Sequence, residues 1–143
     1  MGKNPLVGTW KLISCEVQRS DGRVSYPYGR TPSGYIMYSE AGYMSVAITS
    51  GGRQVFTSGS IHRATAREKA RAARTYLSYA GRYEHHDGQV VHHVEVSLYP
   101  DWVGTDLIRD VEVSGRRLIL TSPPDQSGGI ERKTQIVWER AKE

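Results

Sequence analysis

Asp87-Gly88 lies between two β-favouring runs in the stretch Y-A-G-R-Y-E-H-H-D-G-Q-V-V-H-H-V-E-V-S-L-Y-P-D-W-V-G, residues 79–104. No other feature restricts the fold as strongly. A type I′ turn needs positive φ at both central residues, which Asp and Gly tolerate and β-branched residues do not, so the pair predicts a tight hairpin. The run 90–99 is then long enough to cross a sheet, and its two faces differ in kind. Val90, His92, Val94, Val96 and Leu98 alternate with Val91, His93, Glu95, Ser97 and Tyr99. Four of the five histidines fall in this stretch.

The rest of the chain repeats the theme of short strands with turn chemistry between them. Strands are expected over 7–17, 24–28, 32–39 and 43–49, with Asp21-Gly22 and Glu40-Ala41-Gly42 as turns. Across the 40–42 turn Tyr35, Met37, Met44, Val46 and Ile48 are placed on one face, taken here as the interior. Residues 50–61, with Gly51-Gly52, read as a loop over an opening. Thr65 and Glu68 spell a capping box, and Ala66, Ala70, Ala73 and Leu77 an apolar stripe, so a helix follows. Strands over 105–113, 116–121 and 130–140 complete the series, the last closing on the first. About nine evenly spaced strands with one inserted helix argue for a mainly β fold, an antiparallel barrel forming a single domain over 1–143.

Composition excludes several classes. The net charge of +4 arises between Arg63 and Arg74, where five basic residues meet one acid, leaving fourteen of each sign elsewhere. One basic helix without interleaved aromatics is a weak nucleic-acid footprint, and no nucleic-acid partner is expected. No apolar run approaches the ~20 residues of a membrane span, and the lone Cys15 has no disulfide partner. A cytoplasmic protein without membrane partners is expected; a homodimer is left open.

Five segments together carry a family resemblance: L-V-G-T-W-K-L, G-Y-I-M-Y-S-E-A-G-Y-M-S-V, Y-A-G-R-Y, H-H-V-E-V-S-L-Y-P-D-W-V-G-T and I-R-D-V-E-V-S-G-R-R-L-I-L. Gly8-Thr9-Trp10 is similar to the Gly-x-Trp signature of lipocalins, and the whole resembles the small bacterial and fungal lipocalin-like domains. The resemblance implies a calycin-type barrel with a ligand cavity and an association with natural-product metabolism. It also implies that Arg140 packs over Trp10. The mid-chain helix departs from secreted lipocalins, where the helix follows the last strands.

The ligand is expected to be small, largely apolar, and aromatic or polyketide-like, in a void of at least ~300 Å³. Tyr35, Met37, Met44 and Tyr83 are expected to line it, with His92 and Ser97 as further contacts and Trp102 near the mouth. The chemistry best suited to these residues is cofactor-free acid–base work of isomerase, cyclase or hydratase type, against a pure carrier or sensor. Neither a phosphate-binding glycine loop nor a metal-ligand spacing is evident, so no cofactor and no metal are expected; a haem or metal-binding barrel using the histidines ranks lower. Arg109 alternates with Leu107, Val111 and Val113, which places a guanidinium on an apolar face and demands a counter-charge. If residue 99 pairs near 105, Glu95 faces Arg109 and, with His93, forms the acid–base site. The Asp87-Gly88 register instead groups His92, Tyr79 and Tyr83 with the valines and leaves Glu95 outside, unless a bulge intervenes.

Overall fold

The structure is a computed structural model and describes residues 4–142. Its strands are β1 (Gly8–Arg19), β2 (Val24–Ser25), β3 (Ser33–Tyr38), β4 (Tyr43–Thr49), β5 (Tyr76–His86), β6 (Gln89–Ser97), β7 (Asp106–Ser114), β8 (Arg117–Thr121), β9 (Asp125–Ser127) and β10 (Ile130–Arg140). The single helix among the described residues, α1, spans Ala66–Arg74. The sheet runs β2-β1-β3-β4-β5-β6-β7-β8-β10-β9, and β1 also pairs with β10. Eight strands therefore close an antiparallel barrel, with β2 and β9 as short additions. The mainly β lipocalin-like architecture is as expected.

Turn length decides which residues face inward. Asp87 (φ 55°) and Gly88 (φ 74°) form the hairpin turn with both central residues left-handed. The resulting register sets Tyr83 opposite His92 and Gly81 opposite Val94, so Val90, His92 and Val94 line the interior. Between Gly81 and Ala80 the ladder slips: Val94 pairs with Gly81, Val96 with Ala80, and Glu95 is the extra residue of a β-bulge. Parity reverses beyond it. Ser97 comes opposite Tyr79, while Val96, grouped by simple alternation with the interior valines, is 62% exposed. Gly81 is required here, because a Cβ would collide with the His93 carbonyl oxygen.

The β3–β4 hairpin overturns one expectation by the same logic. Its loop holds three residues, with the Gly42 N–H donating to the Ser39 carbonyl and Gly42 left-handed (φ 94°). Tyr38 pairs with Met44 and Ile36 with Val46. A two-residue loop centred on either side of Ala41 would have put Tyr35 and Met37 inside; the odd loop turns both outward, each 48% exposed, and brings in Ile36 and Tyr38. Met44, Val46 and Ile48 are interior as expected.

Alternate connections gather at opposite ends of the barrel, and the two ends are built differently. One is sealed. Trp10 is fully buried, its indole N–H donates to the Leu6 carbonyl at 2.9 Å, and the Arg140 guanidinium lies 4.0 Å from its ring centroid. Arg140 also donates to the Val7 carbonyl at 2.6 Å and the Pro5 carbonyl at 3.0 Å, strapping the N-terminal segment across the base. The other end carries the long connections, including α1 and the 3-10 turn Pro100–Trp102. The capping box forms as the sequence predicts, with Thr65 accepting from the Glu68 N–H and Glu68 from the Thr65 N–H. The apolar stripe does not: Ala66, Ala70 and Ala73 are exposed, and Leu77 belongs to β5. Instead Glu68, which also accepts from the Thr57 N–H at 2.9 Å, and Arg53, which donates to the Ala72 carbonyl at 3.1 Å, tie the helix to the loop before it.

Replacing Gly81 by Ala is expected to cost about 2 kcal/mol or more, since backbone rather than a flexible side chain must give way. Arg140→Ala should cost about 1 to 3 kcal/mol through the lost cation–π contact and two carbonyl bonds. Urea unfolding midpoints for the two variants check both.

Candidate functional site

Three strands bring one polar group each to the same point of the interior. β6 delivers His92, 1% exposed, β3 delivers Tyr38 and β5 delivers Tyr79. The Tyr38 hydroxyl is 2.7 Å from His92 Nε2 and the Tyr79 hydroxyl 2.7 Å from His92 Nδ1. Burial, with the nearby Arg109 guanidinium and His93 adding to it, depresses the imidazole pKa to about 3, so His92 is neutral. A neutral imidazole has one N–H and one lone pair. One tyrosine must therefore donate to the ring and the other accept from it. These groups share three hydrogens and two bonds, so the accepting tyrosine keeps an O–H with no partner among the described residues. Burial also pushes the Tyr79 hydroxyl up to about 12 and the Tyr38 hydroxyl well above its ordinary value, so both remain protonated donors.

β7 contributes the charge. Val90 and Arg109 are cross-strand partners, and Arg109 is half-buried beside Tyr79 and His92 in the cavity wall. It donates to the Ile108 carbonyl, and among the described residues no carboxylate lies within ion-pairing distance of it. Trp138, also in the wall, buries its indole N–H with no acceptor among the described residues. Ile36, Val46, Ile48, Leu77, Leu120 and Ile136 supply the apolar remainder. Trp102 completes the lining from the Pro100–Trp102 turn, meeting Tyr79 edge-on at 5.7 Å and Tyr99 at 4.9 Å between ring centroids.

The cavity these groups enclose measures about 40 Å³. That is room for a few waters, against the ~300 Å³ or more of a ready ligand pocket. The expected roomy void is thus replaced by a narrow one, because the rings of Tyr79, Trp102 and Trp138 project into the space.

The site residues expected from the sequence are dispersed by the two turn registers. Arg109 faces the cavity, but Glu95 is the exposed bulge residue beyond the end of the β6–β7 ladder, which stops at His93 opposite Asp106. The Arg109–Glu95 pair does not form. His93 points outward, its Nδ1 2.7 Å from Asp106 and its Nε2 2.7 Å from Glu84. Tyr83 is buried near the sealed end, donating to the Ser39 carbonyl at 2.7 Å and accepting from Asn4 at 3.0 Å. Met44 is core, Ser97 lies half-buried beside the bulge, and Tyr35 and Met37 are on the outer surface. His92 and Trp102 line the cavity. Tyr38, Tyr79 and Trp138 were not expected; the Asp87-Gly88 register already groups Tyr79 with His92, whereas Tyr38 is hidden by the loop-length parity. Among the described residues no three His, Cys, Asp or Glu side chains gather to hold a metal ion, and no helix is long and apolar enough to cross a membrane.

The architecture is that of a lipocalin-like barrel, eight strands sealed at one end around a small polar cluster. The family model of the lipocalin-like domain matches residues 7–141, and the chain belongs to that family. It is similar to the 4'-hydroxy-3'-methoxypropiophenone carrier protein ppsC of Aspergillus oryzae, 38% identical over 96 residues that make up 61% of this chain and 82% of that protein. Among solved structures it is similar to a lipocalin-like protein from Bacteroides uniformis, with a TM-score of 0.50 at 16% identity over 96% of this chain and 100% of that one. A further likeness is to a protein from Bacteroides eggerthii, with a TM-score of 0.49, 16% identity, and coverage of 95% and 99%.

The two adjacent histidines should titrate in opposite directions. Asp106 and then Glu84 raise the pKa of His93, so its contribution to stability is complete below the unfolded value near ~6.5 and is lost as pH rises through the folded one. His92 is depressed, so its contribution is complete above ~6.5 and declines as pH falls toward the folded value of about 3. Imidazole nitrogen shifts measured by NMR should show His92 neutral from pH 8 to ~4 and His93 protonating above its ordinary range.

Proposed function

We propose that the barrel binds a small, largely apolar, aromatic or polyketide-like molecule between Tyr79, His92, Arg109 and Trp102, and that it acts as a carrier. The observation that carries this reading is the buried donor cluster set in an otherwise apolar wall and covered by an aromatic residue on a short turn. Such a pairing of apolar lining and few convergent polar groups is what small-molecule sites use for affinity and orientation. The similarity to a carrier of an aryl ketone supports the same ligand class.

Carriage is favoured over isomerase, cyclase or hydratase chemistry by the state of the imidazole. A histidine with a pKa of about 3 is a weak base at neutral pH, and the other candidate acid–base groups, His93 and Glu95, are on the outer face. His92 is then an orienting group that fixes its two tyrosines.

A cavity of about 40 Å³ admits such a ligand only when Trp102 moves. Trp102 is half-buried and held by ring contacts rather than side-chain hydrogen bonds, so its displacement costs less than opening the sheet. Titration with 4'-hydroxyacetophenone should quench tryptophan fluorescence with one-to-one saturation. Trp102→Ala should associate faster, by about tenfold, because the competent state is no longer a minor population. Absence of saturable binding to both proteins, by fluorescence and by native mass spectrometry, would overturn the reading.

A further inference from the structure

We infer that the ligand is an acid, a molecule with an ionisable phenol or enol that binds as its oxyanion, its oxygen held by the Arg109 guanidinium and the surplus tyrosine hydroxyl of the Tyr38–His92–Tyr79 chain. The inference rests on the reading of the barrel as a small-molecule site and specifies the chemistry of its occupant.

Three independent observations converge on an oxygen acceptor. Hydrogen counting leaves one tyrosine O–H without a partner among the described residues, and with the imidazole proton on Nδ1 that hydroxyl is Tyr79's, in the cavity wall. Trp138 buries an indole N–H in the same wall with no acceptor among the described residues. Arg109 reaches the cavity with a single bond to its neighbour's carbonyl. Every unsatisfied group is a donor. A buried donor left unpaired is costly, and a ligand supplying acceptors relieves several at once.

Charge then selects the ionised form. A guanidinium cannot shed its proton, and the described residues around it offer no negative counterpart: Val90 faces it across the ladder, His92 is neutral, and both tyrosines are protonated. The carboxylates closest along β7 lie on the other face, Asp106 with His93 and Asp110 with Gln89. An oxyanion in this place supplies the missing charge beside the half-buried guanidinium. On binding, the acid O–H bond breaks heterolytically, the electron pair stays on the ligand oxygen and the proton passes to solvent. A carboxylate shares the oxyanion chemistry, but the apolar, ring-lined approach past Trp102 and Tyr99 fits a planar phenol or enol.

The probe is 4-nitrophenol, whose phenolate absorbs in the visible, with its methyl ether, 4-nitroanisole, as the neutral counterpart of nearly equal shape. Bound to the parent protein, nitrophenol should ionise at a pH lower by about one unit or more, and above its pKa it should bind at least about tenfold more tightly than the ether. Arg109→Met should abolish both the shift and the preference for the phenol over the ether. That variant should fold as well as the parent, since no ion pair is lost; were it not to fold, the shift in the parent protein decides alone. Equal affinity for phenol and ether, an unchanged or raised nitrophenol pKa, or a shift that persists in Arg109→Met would overturn the inference and leave the carrier reading intact. Failure of both compounds to quench tryptophan fluorescence would overturn both.

Discussion

Two hydrogen bonds to one imidazole organise the interior of this barrel. His92 lies on β6 and its partners Tyr38 and Tyr79 on β3 and β5, so the bonds cross strands that are neighbours or next-neighbours but one in the sheet. A polar group buried so deeply is tolerated only when paired, and here the pairing fixes two aromatic rings that fill the barrel and define its remaining space. Tyr38 in turn packs edge-on against Tyr83 at 4.7 Å, which is bonded to Ser39 and Asn4 at the sealed end. The polar cluster and the base of the barrel are thus continuous.

Charged groups are sorted between the two faces of β6. His93 between Asp106 and Glu84 forms a partly exposed cross-strand triad in which every charge has a counterpart, and such an arrangement contributes modestly to stability. One residue earlier, on the opposite face, Arg109 confronts a neutral histidine. Adjacent positions of one strand therefore hold a saturated electrostatic site and an unsaturated one, and only the unsaturated one retains capacity for something from outside the chain.

The strand pattern, the tight Asp87-Gly88 turn, the capping box and the Arg140–Trp10 contact were legible because each depends on residues close in sequence or on a long family pattern. The interior of β3 was not. Placing Tyr38 rather than Tyr35 and Met37 inside depends on whether a turn has two residues or three, and the informative sign was Gly42 in third place, where a left-handed residue follows a type I turn. The candidate site was half legible. Alternation correctly brought Arg109 inward, but the demand for a counter-charge drew Glu95 toward it, when that demand was left unmet within the chain. The helix misled in a different way: an alanine stripe is a weak signal, and hydrogen bonds from Glu68 and Arg53 do the anchoring that packing was expected to do.

The bulge at Glu95 has a mechanical consequence. It interrupts β6 before the sheet ends, so the β6–β7 ladder stops at His93, and the segment carrying Trp102 is fastened by a few backbone bonds, from Val94 to Thr105, from Gly104 to Val94 and from Leu98 to Ser78. The flap over the cavity is consequently a separate cooperative unit from the barrel wall. Those few bonds and two ring contacts hold it, whereas the opposite end is held by the buried Trp10 and the Arg140 strap. A barrel built this way can open locally at one end without unfolding at the other.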